Sequence, residues 1–141
     1  MNESIAEYLN EEIPELIYDD EGLNGNIFID RFPESPDKII VIESTGGPAG
    51  NFIYSYDMPT IRILTRGNGP NPFDAKELAL KIHDKLQSIK AQTIGDTEET
   101  YIINCEAIQS DPVLIGEDDN RRIRYSQNFM LNIRSKTTNR E

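Results

Sequence analysis

The chain has 141 residues, of which 37% are hydrophobic, and it carries a formal net charge of −11 at pH 7 and a single cysteine. This length fits one domain with one core, and the lone cysteine excludes an internal disulfide. The acidic balance argues against nucleic-acid binding, which needs a basic face. The lone cysteine also fits synthesis in a reducing cytoplasm. No apolar run approaches a membrane span, so we expect no membrane association.

The charge is unevenly distributed. Residues 1–21 contain eight acidic and no basic residues, whereas residues 121–141 contain six basic residues and one acidic residue. Such polarity favours pairing of opposite ends, within one subunit or between neighbours. The acidic candidates for such a contact are Glu11, Glu12 and Glu15, and the alternative is a solvated helix face.

The first predicted element is a helix from Met1 to about Tyr18. Asn2 or Ser4 can cap it, and Pro14 is expected to kink or restart it. Apolar residues recur at helical spacing, giving a narrow stripe of Ile5, Leu9, Ile13, Leu16 and Ile17.

Three short strands are predicted next, over residues 26–31, 38–43 and 60–66. The second contains four consecutive aliphatic residues, which indicates a central strand covered on both faces. A long glycine-rich loop over residues 44–57 separates the second strand from the third. Its aromatic residues fold back on the core or meet a partner protein; the candidates are Phe52, Tyr54 and Tyr56.

Residues 72–89 give the strongest helical pattern. Asn71 can cap this helix, Pro72 suits its first position, and Asp74 favours its positive end. Its apolar stripe consists of Ala75, Leu78, Ala79, Ile82, Leu86 and Ile89. Leu80 points away from the stripe, which makes it a candidate contact residue.

The remaining chain is predicted to be mostly strands. Residues 91–100 read as a polar connection, residues 101–109 as a strand, and residues 113–115 as a short edge strand. Residues 122–134 alternate almost perfectly between apolar and polar side chains, with Met130 as the exception. This strand is long enough to project beyond the sheet or contain a bulge, and residues 135–141 form a flexible tail.

The predicted fold class is therefore α+β. We expect a mainly antiparallel sheet covered by one main amphipathic helix, with an additional N-terminal helix. Residues 1–134 form a single domain.

Five arginines, Arg62, Arg66, Arg122, Arg124 and Arg134, lie on strand faces opposite the apolar ones. One interpretation is an open sheet face in water. The other is a surface that meets an acidic neighbour, such as the N-terminal segment of another subunit. We predict that reversing the charges of Arg122 and Arg124 together weakens association more than folding.

No pattern indicates a catalytic, cofactor-binding or metal site. The glycine-rich segment 45–50 lacks the Lys-Ser/Thr end of a phosphate loop, and Cys105 reads as a small buried hydrophobe. His83 lies at the flank of the helix stripe, where a boundary position is expected. The acidic turn 117–119 lacks the spacing of a calcium loop. A small metal-dependent hydrolase using this turn is the enzymatic alternative.

The order of these parts resembles that of a known family. Pro33-x-x-Pro36-Asp37 precedes the buried strand, Gly46-Gly47-Pro48 follows it, and the last strand ends in residues 128–134. Over about residues 1–135 the chain resembles the minor capsid or tail terminator proteins of long-tailed phages, which join head and tail.

This resemblance implies a structural role in the virion, at the head–tail junction. Tail terminators form a ring, commonly of six subunits, on the head-proximal end of the tail tube. The ring stops tube polymerisation and docks to the head connector, and DNA passes through it without specific binding. The family supplies no catalytic residues, cofactor or metal. The alternatives are a stopper or adaptor in the head–tail connector and a monomeric protein-binding adaptor.

Overall fold

The computed structural model describes residues 1–19, 24–48, 56–96 and 99–134. They form two helices and eight strands, which confirms the predicted α+β class. The helices are α1 (Asn2–Glu12) and α2 (Pro72–Gln87). The strands are β1 (Ile27–Ile29), β2 (Ile39–Gly46), β3 (Tyr56–Asp57), β4 (Thr60–Arg66), β5 (Lys90–Ile94), β6 (Thr100–Ala107), β7 (Val113–Glu117) and β8 (Ile123–Arg134).

All eight strands belong to one sheet, in the order β1-β2-β4-β8-β6-β5, with β3 and β7 also paired to β8. The pairing is antiparallel throughout, except that β1 runs parallel to β2. This parallel pair requires the chain between them to cross one face of the sheet.

β8 is the strand around which the sheet is built. On one edge it pairs with β4, from Arg124 opposite Arg66 to Met130 opposite Thr60, and then with β3. On its other edge it pairs first with β7 and then with β6. β8 is therefore hydrogen-bonded along its whole length, and the register shifts occur in its partners β6 and β7 rather than in β8 itself.

Both helices pack on the same face of the sheet and share one core with it. α2 begins as predicted, because the Asn71 side chain accepts a hydrogen bond from the Phe73 amide at 3.1 Å. The largest fully buried side chain is Phe129 of β8. His83 lies against it, with ring centroids 6.1 Å apart, which places this histidine at the edge of the core.

The opposite face carries a second, smaller apolar cluster of Phe28, Ile39, Val41 and Leu64. Ile40 and Ile42 belong instead to the main core. Both faces of β2 are thus covered, as its four consecutive aliphatic residues predicted.

The predicted first helix is too long. α1 ends at Glu12, and Ile13 is extended (φ −121°, ψ 108°) because the ring of Pro14 disfavours a helical residue before it. Ile17, assigned to the apolar stripe, is 53% exposed. Ser4 does not cap the helix; its buried hydroxyl lies 2.8 Å from that of Thr100 in β6.

Two further predictions about strands are corrected. The polar connection contains β5, which pairs with β6, and β2 continues to Gly46 where a loop was expected. Gly47 follows with φ +114°, and a Cβ there would lie 2.3 Å from the Met58 carbonyl oxygen. Only glycine fits this turn. The predicted tail 135–141 and the loop residues Phe52 and Tyr54 lie outside the described residues.

A register shift between Ile102 and Asn104 interrupts the alternation of β6. Ile102 and Cys105 both face the core as a result, while Ile103 is exposed. Burial, with the charge of Glu106 adding to it, raises the pKa of the Cys105 thiol to about 12. Cys105 is therefore a buried hydrophobe, as the sequence indicates.

Candidate interaction surfaces

The five arginines of the predicted sheet face divide into two groups. Arg66 and Arg122 are almost completely buried, at 3% and 4% exposure. Arg62 and Arg124 are partly exposed and Arg134 is exposed. The polar face of β4 and β8 is therefore covered at Arg66 and open at Arg62 and Arg134, with Arg124 partly exposed opposite Arg66.

The covered end lies under the chain that connects β1 to β2. Arg66 donates hydrogen bonds to four main-chain carbonyls of this connection, those of Pro33, Glu34, Pro36 and Asp37. Burial, together with the adjacent charge of Arg122, lowers the pKa of Arg66. Arg66 thus holds the crossing segment against the sheet within one subunit.

Arg122 ties the same segment to the turn after β7. Its Nε donates to Asp118 Oδ2 at 2.7 Å, and one terminal nitrogen donates to the Glu34 carbonyl at 2.6 Å and to Asp37 Oδ1 at 3.1 Å. The Asp118 carboxylate loses solvation, but hydrogen bonds from the backbone and side chain of Arg122 and from the Asn120 amide hold its pKa below the ordinary value.

Both oxygens of Asp118 are therefore occupied by contacts within the chain. Asp118 is the central residue of the acidic turn 117–119, which the sequence offered as a metal site. Within the part of the chain that the structure describes, no group of three or more His, Cys, Asp or Glu side chains is arranged to hold a metal ion.

The three accessible arginines have weaker contacts. Arg62 forms an ion pair with Glu43 at 2.7 Å, on the neighbouring strand. Arg124 donates to the Glu117 carbonyl at 3.2 Å. The Arg134 guanidinium lies 5.5 Å from the centre of the Tyr101 ring. Arg62, Arg134 and the partly exposed Met130 leave one end of this sheet face open to a partner, whereas Arg124 lies opposite the covered Arg66.

The acidic candidates also differ from one another. Glu11 and Glu12 are exposed on α1, whereas Glu15 lies 3.4 Å from both Lys38 and Lys81. Glu15 is thus paired within its own chain, although its partners lie in the middle of the sequence rather than in the basic C-terminal region.

Lys38 also connects Glu15 to α2, because its ammonium donates to Asp74 at 2.8 Å. Burial acts against the charged form of Lys38, but the hydrogen bond to Asp74 and the charge of Glu15 raise its pKa overall. The same hydrogen bond is the main reason that the pKa of Asp74 is lowered.

An acidic cleft of about 460 Å³ opens beside α1. It is lined by Glu7, Asn10, Glu11, Tyr18, Asp19, Asn24 and Asp96. The acidic N-terminal segment contributes Glu7, Glu11 and Asp19 to this cleft, and Asp96 adds a fourth acidic residue.

The aromatic loop is described only at its end. Tyr56 lies in β3, in register with Arg134 of β8. The backbone of this candidate thus adjoins the open end of the arginine face.

An exposed apolar surface along β7 was not predicted from the sequence. Val113, Leu114 and Ile115 are 47%, 55% and 43% exposed, and Ile108 just before them is 55% exposed. Leu80, which was predicted to point outward, is 43% exposed on α2. The signal was present in the sequence: three consecutive apolar residues on an edge strand cannot all face a core, because successive side chains alternate between faces.

No helix among the described residues is long and apolar enough to cross a membrane. The chain matches none of the curated proteins with which it was compared. A family model described as "Bacteriophage tail terminator protein" matches residues 10–134, which is most of the chain.

Proposed function

Because the chain belongs to the bacteriophage tail terminator family, we propose that it closes the head-proximal end of the tail tube as a homo-oligomeric ring. Membership makes it a structural protein of the phage tail and a component of the virion. The proposal adds that the ring stops tube polymerisation and joins the tail to the head connector. The observation that carries it is the family match over residues 10–134.

The structure supports this proposal through the number of different surfaces on one small subunit. A ring of identical subunits needs two unlike, complementary surfaces on each copy, and the tube and the connector need two more. The subunit offers an acidic cleft beside α1, an open arginine face on β4 and β8, and an apolar edge at β7. In this proposal, Arg62, Arg124, Arg134, Glu11 and Glu12 are the charged contact residues.

The net charge of −11 also suits a protein that surrounds a DNA channel. An acidic lumen does not hold the phosphate backbone, so DNA passes during ejection without specific binding. A lumen lined by basic residues in the assembled ring would contradict this part of the proposal.

The test uses purified tail-tube protein under conditions in which it polymerises. Addition of the chain is expected to arrest tube growth, and negative-stain electron microscopy is expected to show a ring at one end of each tube. Tubes that grow equally long with uncapped ends would overturn the proposal. Binding to purified connector but not to tubes would instead assign the chain to a stopper or adaptor position.

A further inference from the structure

Exposed apolar side chains are concentrated around the edge strand β7, with Leu114 on the face that carries α2 and Val113 on the other face. Of the nine large hydrophobic residues that are exposed among the described residues, four lie within eight positions: Ile108, Val113, Leu114 and Ile115. We call these four residues the β7 patch. Single exposed apolar residues are ordinary, but a contiguous group marks an interaction site.

The apolar surface continues from the β7 patch onto α2. Leu114 lies opposite Tyr125 in register, and Tyr125 packs against Ala75 and Ala79 of α2. The next helical turns carry Phe73, which is 75% exposed, and Leu80. Both share a helix face with Lys76, whose ammonium lies 3.6 Å from the Asp111 carboxylate just before β7.

β7 is also an edge strand. It pairs with β8, and no other described strand pairs with it. Its first three residues include none of the charged or proline residues that usually protect such an edge. The space around Gly116 is open, since a Cβ there would meet no atom within 4 Å. This edge can therefore be reached by another chain.

The charges around the β7 patch restrict what covers it. Asp111 and Glu117 flank the strand and are 60% and 44% exposed at their side chains. Each acid has one cation of its own chain nearby, Lys76 at 3.6 Å and Arg121 at 3.8 Å, but such exposed ion pairs are weak. Two copies of β7 paired with each other would bring the acids together, which is unfavourable. The partner surface should instead combine an apolar side chain with a basic one.

The chain carries such a surface on the other side of β8, just after β1. Phe32 is 45% exposed, and Arg31 beside it places its guanidinium 5.1 Å from the centre of the Phe28 ring. Aromatic residues and arginine are enriched at protein interfaces. A patch on one side of the subunit and its complement on the other produce a head-to-tail contact, which closes into rings.

We propose that the β7 patch of one subunit binds the Arg31–Phe32 surface of a second copy of the same chain. This contact is the bond between neighbouring subunits of the ring. The inference rests on the proposed function only in taking the ring as the assembled form.

The test compares self-association of three variants with that of the unmodified chain, by light scattering behind a sizing column, alone and with tail tubes. The patch variant carries Leu114→Gln and Ile115→Thr, and the second variant carries Phe32→Ser. The control is Ile103→Thr, which removes a similarly exposed isoleucine from β6. Circular dichroism melts establish that each variant is folded.

We expect each of the first two variants to associate at least tenfold more weakly than the unmodified chain, and the control to stay within twofold. The decisive measurement mixes the two weak variants. The patch variant keeps an intact Arg31–Phe32 surface and the Phe32→Ser variant keeps an intact β7 patch. A head-to-tail contact therefore predicts a one-to-one dimer in the mixture.

An unmodified chain that stays monomeric both alone and on tubes would overturn the inference. So would a patch variant that assembles normally, or a mixture that gives no dimer. If tubes are nevertheless capped, the proposed function stands while this contact is wrong. If subunits associate through the patch but never bind tubes, the contact stands and the proposed function fails.

Discussion

Replacement of Arg122 by methionine should destabilise the fold by about 2–3 kcal/mol. The side chain is 5% exposed, and its hydrogen bonds join the turn after β7 to the segment between β1 and β2. Methionine keeps most of the aliphatic packing but removes every guanidinium donor. The change therefore isolates the polar contribution of this residue.

The magnitude follows from which partners lose contact with the protein. Glu34 and Asp37 expose 86% and 57% of their side chains, so their carboxylates are solvated after the change and those ion pairs contribute little. The Nε bond to Asp118 is lost without such replacement, while the Glu34 carbonyl keeps only the longer hydrogen bond from Arg66, at 3.4 Å. Hydrogen bonds to charged groups contribute about 1.5–3 kcal/mol each. Asp118 keeps two backbone amide donors, which favours the lower end of that range.

The measurement is urea unfolding at pH 7, with Arg121→Met as the matched control. Arg121 is 76% exposed and lies 3.8 Å from Glu117, so its loss should cost less than about 0.5 kcal/mol. A loss for Arg122→Met of under about 1 kcal/mol, or one equal to the control, would refute the reasoning. Charge reversal at Arg122 should likewise act on folding, so a test of the arginine face for association should use Arg124 alone.

Three further predictions concern single residues. The pKa of Asp118 lies below its ordinary value. The ionised carboxylate therefore stabilises the fold fully above about pH 4, and this contribution is lost as pH falls through the folded-state pKa. Melts at pH 7 and pH 3 should differ less for Asp118→Asn than for the unmodified chain. Gly47→Ala should lower the free energy of unfolding by about 1–3 kcal/mol, because the added Cβ would meet the Met58 carbonyl. The control Gly69→Ala adds a Cβ in open space and should leave urea unfolding unchanged. The Cys105 thiol, with its pKa near 12, should resist iodoacetamide at pH 8 until the chain unfolds.

Each of these predictions has a contrary result. If Asp118→Asn and the unmodified chain lose the same stability between pH 7 and pH 3, other carboxylates are responsible for the acid destabilisation. A neutral Gly47→Ala would mean that the turn relaxes without cost. Rapid labelling of Cys105 in the native state, at the rate of a free thiol peptide, would mean that β6 opens readily.

Sequence reasoning predicted α2 and β8 well because both signals are local. The apolar stripe of α2 and the alternation of β8 each lie within one continuous segment, and tertiary contacts reinforce the same pattern. β5 was missed because its strand conformation comes from pairing with β6, while only Ile94 among its residues is buried. The extra turns predicted for the first helix were excluded by Pro14 acting on the residue before it.

The arginine face shows a second limit. Alternation correctly placed Arg62 and Arg66 on the same side of β4, away from the helices. It could not show that the segment between β1 and β2 crosses over Arg66 and leaves Arg62 open, because that depends on contacts more than 25 residues apart in sequence. The β7 patch could have been found from its three consecutive apolar residues, but its neighbours on α2 could not.

The position of β8 at the end of the described chain has a consequence for the order of folding. β1, β2 and β4 can pair among themselves, and so can β5 and β6, but in the sheet order only β8 joins these two groups. Its pairing with β4 connects residues about 60 to 70 positions apart. Closing such a loop is entropically costly and occurs late. On the ribosome, the two halves of the sheet therefore stay separate until residues 123–134 have emerged. The subunit acquires its finished surfaces only after that step.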